Sequence, residues 1–290
     1  MWPRTTRKAA EKVQTYSLAR IAGAKTRRAS VTLPPILDSV GAQKEYLKAL
    51  RSMLRTIGEE VRSNVLPAAD AEIARKASAI TQDALGAFVF ETLKSIAVQL
   101  GIIAEGVVGR ILNLEADRHT AKWKASVRST LGIDISAVVS QEDLADYLLD
   151  ANRRNAGLIK SLASETVAQV ERATYDAILQ GKTAKDLRSE LTRQFGISDG
   201  RAKLIARDQT AKLTSDLNRI RHQQAGVTSY SWSTSHDERV RPRHKDLDGK
   251  EYEYGKPTGA EQGLPPGQPI QCRCVARAIV YFGGERFDTN

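Results

Sequence analysis

The feature that most constrains this chain is a change in its sequence pattern at Gly226. Before this residue, apolar side chains recur at the three- and four-residue spacing of helices; after it, turns and short alternating runs take over. Five of the nine prolines and eight of the twenty glycines lie at or beyond Gly226. The sequence therefore predicts a mostly α protein with a small C-terminal α+β lobe.

The pattern divides the chain into three predicted parts. Residues 1–37 form a basic arm and Pro-rich connector, residues 38–135 a helical domain, and residues 136–290 a second domain with helices in 140–225 and a β/loop lobe in 226–290. Pro34 and Pro35 favour an extended backbone in the connector. The first long helix carries an apolar stripe from Tyr46 to Val61, and Pro67 is predicted to end it.

The stretch 68–131 reads as almost continuous helix with an apolar stripe. A break is expected near Gly101, Gly106 and Gly109, because glycine weakens a helix interior. The apolar run 95–109 is shorter than a membrane span and contains Glu105, so we interpret it as a buried helix face. No membrane association is predicted.

Three further helices are predicted before the lobe. Residues 140–143 form a capping-box pattern that opens a helix burying Leu144, Leu148 and Leu149. A helix ending at Gly181 is followed by a short helix through Phe195. Ser198 is then predicted to cap a separate helix that covers 201–225.

Positive charge is concentrated at the N-terminus. Within residues 1–28, Glu11 is the one acidic residue, although the whole chain has a net charge of +10. The basic residues there are Arg4, Arg7, Lys8, Lys12, Arg20, Lys25, Arg27 and Arg28. Such an arm favours DNA binding, because each cation that meets a phosphate releases a counterion. A solvated terminus and a transit peptide are the alternatives.

Two alternating runs are predicted to form the lobe. Tyr230 and Trp232 alternate with serines, and the same alternation runs from Cys274 to Val280. We predict that these runs pair antiparallel and that residues 235–270 form a long ordered loop. Loops of this length are usually functional or held by specific contacts.

The order of short motifs across 155–274 resembles the Mu F-like family of phage head morphogenesis proteins, also called minor capsid proteins. Upstream, it includes Asn155, Gly181 and the run from Arg201 to Thr210. In the lobe, the matching residues are Trp232, Asp237, Arg239, Arg241, His244, Gly249, Pro266, Cys272, Arg273 and Cys274. The resemblance assigns 136–290 to a Mu F-like domain.

This resemblance implies a non-enzymatic component of a tailed phage or prophage head. Its expected partners are the portal protein, procapsid or scaffold components, and DNA. Its expected location is the virion, in the head interior or near the portal, after a period in the host cytoplasm. A metal-dependent nuclease or toxin carrying this domain is one alternative, and a cellular DNA-binding structural protein is another.

Both cysteines and three of the four histidines fall within 201–280. Cys272 and Cys274 would lie on one face of an extended segment, so His244 could complete part of a zinc site. His236, Asp237 or Asp246 are possible fourth ligands. The alternative is that no cofactor binds, the thiols are buried, and His244 bonds to backbone.

Two roles remain open for the other polar residues of the lobe. His236, Asp237 and His244 could form a nuclease-like general base, although the chain has no H-E-x-x-H, P-loop or nucleophile-elbow motif. Asp237, Arg239 and Arg241 could instead fasten the loop through a turn and charged hydrogen bonds. Four arginines of the last long helix could line a phosphate-binding face or, more simply, a solvated face. They are Arg201, Arg207, Arg219 and Arg221.

Overall fold

The computed structural model describes residues 14–23, 28–76, 87–140 and 142–282. Its helices are α1 (Leu18–Ala22), α2 (Val40–Glu60), α3 (Leu66–Lys76), α4 (Ala87–Leu131), α5 (Ser136–Val139), α6 (Ala145–Leu179), α7 (Ala184–Gln224) and α8 (Pro242–Lys245). Its strands are β1 (Ser30–Thr32), β2 (Ser229–Ser233), β3 (Glu251–Glu253) and β4 (Val275–Tyr281). The predicted mostly α fold with a C-terminal α+β lobe is confirmed.

The strands form one antiparallel sheet in the order β1-β4-β2-β3. Pairing of β2 with β4 places Tyr230 opposite Ala278 and Trp232 opposite Ala276, which confirms the predicted antiparallel pair. The sheet gains two strands that the sequence pattern did not indicate. One is β1, from the predicted connector, where Val31 lies opposite Val280; the other is β3, from the long loop.

The chain packs into two compact units, each assembled from separate stretches. The sheet unit contains the described residues of 1–39, 113–148 and 208–290, and the helical unit those of 40–112 and 149–207. The predicted domain boundaries remain a prediction.

In the helical unit, α2 buries Tyr46, Leu50, Met53, Leu54 and Ile57, as its stripe predicted. The predicted end at Pro67 is wrong. A π-helical turn over Val61–Val65 joins α2 to α3, and Pro67 lies in the first turn of α3. The helical backbone is continuous there, because the N–H of Leu66 donates to the carbonyl of Val61 in the π-helical turn that precedes Pro67.

Two other helix boundaries also differ from prediction. α4 continues through Gly101, Gly106 and Gly109 without a break, and α7 continues through residues 196–200. Ser198 is therefore not a cap; it is buried, and its hydroxyl lies 3.0 Å from that of Thr166 on α6. Tertiary packing overrides the local helix-weakening tendency of glycine.

The apolar surface of α4 is less buried than predicted. One face of the stretch 95–109 is buried as predicted, at Ala97, Ala104 and Val108. The opposite face is not, because Val98, Ile102 and Ile103 are 59%, 52% and 64% exposed. In the described part of the chain, Val89–Leu131 is long and apolar enough to cross a membrane by length and composition. Core helices can meet the same criteria, so these criteria alone assign no membrane span.

α6 begins later than the capping-box pattern indicated. The carboxylate of Asp143 accepts the backbone N–H of Ala145 at 3.1 Å, which makes Asp143 the capping side chain. Leu144 and Leu148 are half-buried and Leu149 is 50% exposed, so the predicted burial of this first turn is wrong.

A buried polar network lies inside the sheet unit. Arg221 and Glu142 form an ion pair with side chains only 1% exposed each. Glu142 also accepts the hydroxyl of Tyr16 at 2.7 Å, and Arg221 donates to Thr120 at 2.6 Å. Arg221 is therefore not on a solvated or phosphate-binding face, which corrects that prediction for this residue.

Two buried histidines adjoin this network. His119 lies 2.9 Å from the side-chain oxygen of Asn218, and His222 lies 2.5 Å from the hydroxyl of Tyr254. Burial and the neighbouring charge of Arg221 lower the pKa of each imidazole to about 3. Both histidines are therefore neutral at physiological pH.

Candidate metal centre

Three segments bring the predicted ligands together. His244 lies on α8, which begins with Pro242 in the first helical position, where the fixed backbone of proline suits a helix start. Cys272 and Cys274 immediately precede β4, the strand that pairs with β2. Trp232 of β2 is fully buried and packs its ring edge-on to His244, with centroids 5.3 Å apart.

The side chains of His244, Cys272 and Cys274 converge on one point. Both sulfur atoms lie 3.5 Å from Nδ1 of His244, and the three potential ligand atoms lie within 4.8 Å of one another. All three residues are buried. The structure thus brings together the three residues that the sequence singled out for a metal.

The other ring nitrogen of His244 contacts a carboxylate. Nε2 lies 2.7 Å from Oε2 of Glu261, in the short 3-10 helix Glu261–Gly263. Burial acts to raise the pKa of Glu261, but the bond from His244, a backbone hydrogen bond and the charges of His244 and Arg241 together outweigh burial and leave this pKa below its usual value. In the neutral tautomer that carries its N–H on Nε2, His244 donates to Glu261 and presents Nδ1 as an acceptor to the sulfurs.

The two thiols are electrostatically unequal. The hydrogen bond from Cys274, helped by the backbone N–H groups of Cys274 and Gly267 at 3.4 Å, lowers the pKa of Cys272 to about 6. The same interaction and burial raise the pKa of Cys274. The two thiols thus differ in acidity although both face the same imidazole nitrogen.

Gly267 allows this approach of backbone to sulfur. Its φ of +86° is readily adopted only by glycine, and a Cβ there would lie 2.8 Å from Cβ of Ser215. The hydroxyl of Ser215 also donates to the carbonyl of the predicted motif residue Pro266 at 2.6 Å. The loop carrying Cys272 is thereby fixed against α7.

Four charged residues hold the start and end of the long loop in place: Asp237, Arg239, Arg241 and Arg273. Asp237, a candidate metal ligand, takes part in these contacts instead. Both terminal nitrogens of Arg273 donate to the carboxylate of Asp237, which also accepts the backbone N–H of Arg239 at 3.0 Å. Arg241 donates to the carbonyl of Ile270 at 2.6 Å. The turn at Asp237 and the bond from Arg241 to a carbonyl agree with the predicted fastening role, and Arg273 is the charged partner of Asp237.

The candidate fourth ligands do not join the group. Asp237 is bound to Arg273, His236 lies 3.5 Å from Asp248, and Asp246 is exposed. His236, Asp237 and His244 therefore have three different sets of partners and do not assemble the predicted nuclease-like base. Gly249 has another role: its N–H donates to the carbonyl of Trp232 at 2.8 Å, which extends the contact between β2 and the loop.

Sequence reasoning missed two participants. Glu261 is separated from His244 by a turn, a strand and a further loop, and no residue spacing indicates their contact. The indole N–H of Trp232 is buried without a hydrogen bond of normal geometry in the described residues, yet it favours the charged form of Cys274. Its proximity to a sulfur could not be read from strand alternation alone.

Replacing Asp237 by asparagine is expected to loosen the start of the loop. The Arg273 fork loses its charged acceptor, whereas the turn at Asp237 keeps a side-chain oxygen. Limited trypsin digestion should cleave after Arg239 several-fold faster than in the parent protein. Glu238→Gln is the matched control, since Glu238 is 87% exposed in its side chain; equal cleavage rates in both variants would contradict a fastening role for Asp237.

A family model described as "Phage Mu protein F like protein" matches residues 168–277. The chain contains a Mu F-like domain. The matched range includes α8, the long loop, both cysteines and the first residues of β4. The resemblance stated from the sequence is thereby confirmed for residues 168–277, which are similar to a family related to phage head morphogenesis.

One curated relative is an "Uncharacterized protein" of Haemophilus influenzae. It is 34% identical over 174 residues, which cover 60% of this chain and 38% of the relative. The chain thus spans well under half of that protein. No solved structure matches the chain.

Proposed function

We propose that this protein is a minor capsid protein of a tailed bacteriophage or prophage. In this role it associates with the portal protein and the procapsid and contacts DNA during head assembly or genome delivery. The observation that carries the proposal is the Mu F-like match over 168–277, which includes the whole of the long loop 235–270.

DNA contact is assigned to the basic residues of 1–28. Arg20 and Arg28 are exposed, and the other six predicted cations lie outside the described residues. The segment between Lys12 and Arg20 is part of the core, because Leu18 is fully buried and Tyr16 is 7% exposed. Charge neutralisation therefore tests DNA contact better than deletion of 1–28, which would remove core side chains.

Replacing the eight arm cations by glutamine is expected to weaken DNA binding and its salt dependence. The slope of log affinity against log salt should flatten by about 0.9 for every phosphate that the variant no longer neutralises. Fluorescence anisotropy with a labelled duplex between about 50 and 200 mM KCl measures both quantities.

The matched control replaces Lys44, Lys48 and Arg55, exposed cations of α2, by glutamine. This control should keep the parent slope. A parent slope in the arm variant, or no binding by the parent protein at low salt, would remove DNA contact from the proposal.

The role is proposed to be non-enzymatic. The support is that the three residues of the predicted general base have different partners. His236 lies near Asp248, Asp237 pairs with Arg273, and His244 contacts the cysteine sulfurs and Glu261. Incubation with plasmid and Mg²⁺, Mn²⁺ or Zn²⁺ should leave the DNA intact. Cleavage that disappears in His244→Ala would favour the nuclease alternative instead.

Assembly is tested in particles from the phage or prophage that encodes the chain. Mass spectrometry of purified heads should detect the chain at far fewer copies than the major capsid protein, and cross-linking should join it to the portal. Normal yield and infectivity after deletion of its gene would overturn the proposed role.

A further inference from the structure

The distances among His244, Cys272 and Cys274 fit a tetrahedral metal site. Zinc lies about 2.3 Å from a thiolate and about 2.05 Å from an imidazole nitrogen, so tetrahedral geometry separates these ligand atoms by about 3.6 Å. Both S···Nδ1 distances here are 3.5 Å. A thiol that donates a hydrogen bond to this nitrogen can lie at the same distance, but the acceptor nitrogen of a neutral imidazole has one lone pair, so hydrogen bonding accounts for only one of the two contacts.

The contact between His244 and Glu261 fits the second layer of such a site. Metal-bound histidines usually donate their other N–H to a carboxylate, which fixes the ring and increases the basicity of the ligating nitrogen. Nε2 of His244 makes this contact with Glu261 at 2.7 Å, and Arg241 holds the same carboxylate at 3.5 Å. The sequence-based alternative, a bond from His244 to backbone, does not account for this side-chain pair.

Several N–H groups are placed to stabilise negative sulfur. The backbone N–H groups of Gly267 and Cys274 point to Sγ of Cys272 at 3.4 Å. The fully buried Trp232 also has an indole N–H without a partner of normal geometry among the described residues, next to Cys274. A buried donor is costly unless it meets an acceptor, and a metal-bound thiolate is a much better acceptor than a thiol.

We propose that His244, Cys272 and Cys274 bind one Zn²⁺ ion, with Glu261 as the positioning residue behind the imidazole. Two soft thiolates and one imidazole favour Zn²⁺ over the hard cations Mg²⁺ and Ca²⁺. No fourth His, Cys, Asp or Glu joins the group in the part of the chain that the structure describes. The remaining tetrahedral position is assigned to a water molecule.

The ion would join segments that are distant along the chain. It links α8 to the segment before β4, and through Glu261 it also fixes the loop between them. The apolar cluster beneath this loop is small: Tyr230, Trp232, Leu247, Ala260, Cys272, Cys274 and Ala276. Metal binding stabilises such regions because the site exists only in the folded state. This inference does not depend on the proposed role in head assembly.

The test is metal analysis of the full-length protein, expressed with zinc in the medium and purified without a polyhistidine tag. About one equivalent of zinc per chain is expected, and Cys272→Ser, Cys274→Ser and His244→Ala should each lose it. Exchange for Co²⁺ should give a thiolate-to-metal charge-transfer band that is absent in both serine variants. The zinc content and the Co²⁺ band of the parent protein do not depend on the folding of any variant.

Glu261→Gln separates a positioning role from simple packing. Loss of the carboxylate should weaken zinc affinity about 10- to 100-fold in chelator competition, while saturating zinc still gives one equivalent. His236→Ala is the control, because His236 lies in the same loop and does not face the sulfurs; it should leave the affinity unchanged.

Three results would overturn the proposal. The first is less than about 0.1 equivalent of zinc in the parent protein even after incubation with the ion. The second is oxidation of both thiols to a disulfide in the freshly purified protein, and the third is iron or copper in place of zinc. Unchanged zinc affinity in Glu261→Gln would overturn the positioning role of that residue.

Discussion

Replacing Glu142 by alanine is expected to lower the free energy of unfolding by about 3–5 kcal/mol, because it leaves the Arg221 guanidinium buried without its counter-charge. Both side chains of the pair are only 1% exposed. Burial raises the pKa of Glu142 despite the positive charge of Arg221, and it lowers the pKa of Arg221. Each charge is therefore tolerated only because its partner is present.

The loss should exceed that of a simple salt bridge because Glu142 also accepts a bond from Tyr16. That hydroxyl in turn accepts the indole N–H of Trp123 at 3.0 Å, so one substitution disturbs three buried polar groups. Urea unfolding at pH 7, followed by circular dichroism, measures the change. The midpoint should fall with little change in slope if unfolding stays two-state.

The control is Glu91→Ala, which removes an exposed partner of Lys94 in a helix. Such surface pairs contribute about 0–1 kcal/mol, so this variant should differ little from the parent protein. The double variant Glu142→Ala with Arg221→Met should recover part of the loss, since the unpaired charge is then removed as well. Equal stability of Glu142→Ala and Glu91→Ala would contradict a buried, paired Arg221.

The second large effect expected is acid destabilisation driven by His119 and His222. In the folded protein each imidazole has a pKa of about 3, against about 6.5 in an unfolded chain. Between these values the unfolded chain binds more protons than the folded one, so the free energy of unfolding falls as the pH falls. At pH 4.5 each histidine should reduce it by roughly 2–3 kcal/mol relative to neutral pH.

Other titratable groups change the size of this pH dependence without reversing its sign. The raised pKa of Glu142 gives a contribution of the opposite sign, since its carboxyl binds its proton more readily in the folded state. Asp199 and Glu190, each with a pKa of about 2, lose their stabilising contribution only as the pH falls below about 4. The window from about pH 5.5 to 4.5 therefore reports mainly on the two histidines, because Cys272, with a pKa of about 6, contributes to the slope at higher pH.

Urea unfolding at a series of pH values in that window measures the slope. His119→Gln and His222→Gln should each remove about half of the pH dependence, because glutamine takes up no proton. Each variant is compared with its own stability at pH 7, which separates any loss of packing from the loss of titration. A double variant that keeps the parent slope would disprove the assignment.

The parts of the fold that follow from side-chain periodicity could be predicted. The stripe on α2 and the alternation around Tyr230 and Trp232 each report directly which side chains are buried. Helix ends were less predictable, because signals such as Pro67 and Ser198 describe a local preference that packing can override. A serine that caps an isolated helix is equally suited to bond a threonine on a neighbouring one, as Ser198 does with Thr166.

Part of the candidate site was also accessible from sequence. Two cysteines one residue apart on an extended segment must project to the same side, which made Cys272, Cys274 and a nearby histidine a reasonable group. The position of Glu261 and the burial of Arg221 depend on contacts across the folded unit. A charged residue is predicted to be solvated unless its partner is known, and that partner is distant along the chain.

The position of β4 in the sheet affects how this molecule is made. β4 lies between β1 and β2, yet it is the last of the four strands to leave the ribosome. Thr32 cannot pair with Ile279 until the whole chain between them has been translated. Pairings of such high sequence separation form slowly. Until then β1 and β2 each have an open edge, and open strand edges are sites at which a nascent chain can aggregate.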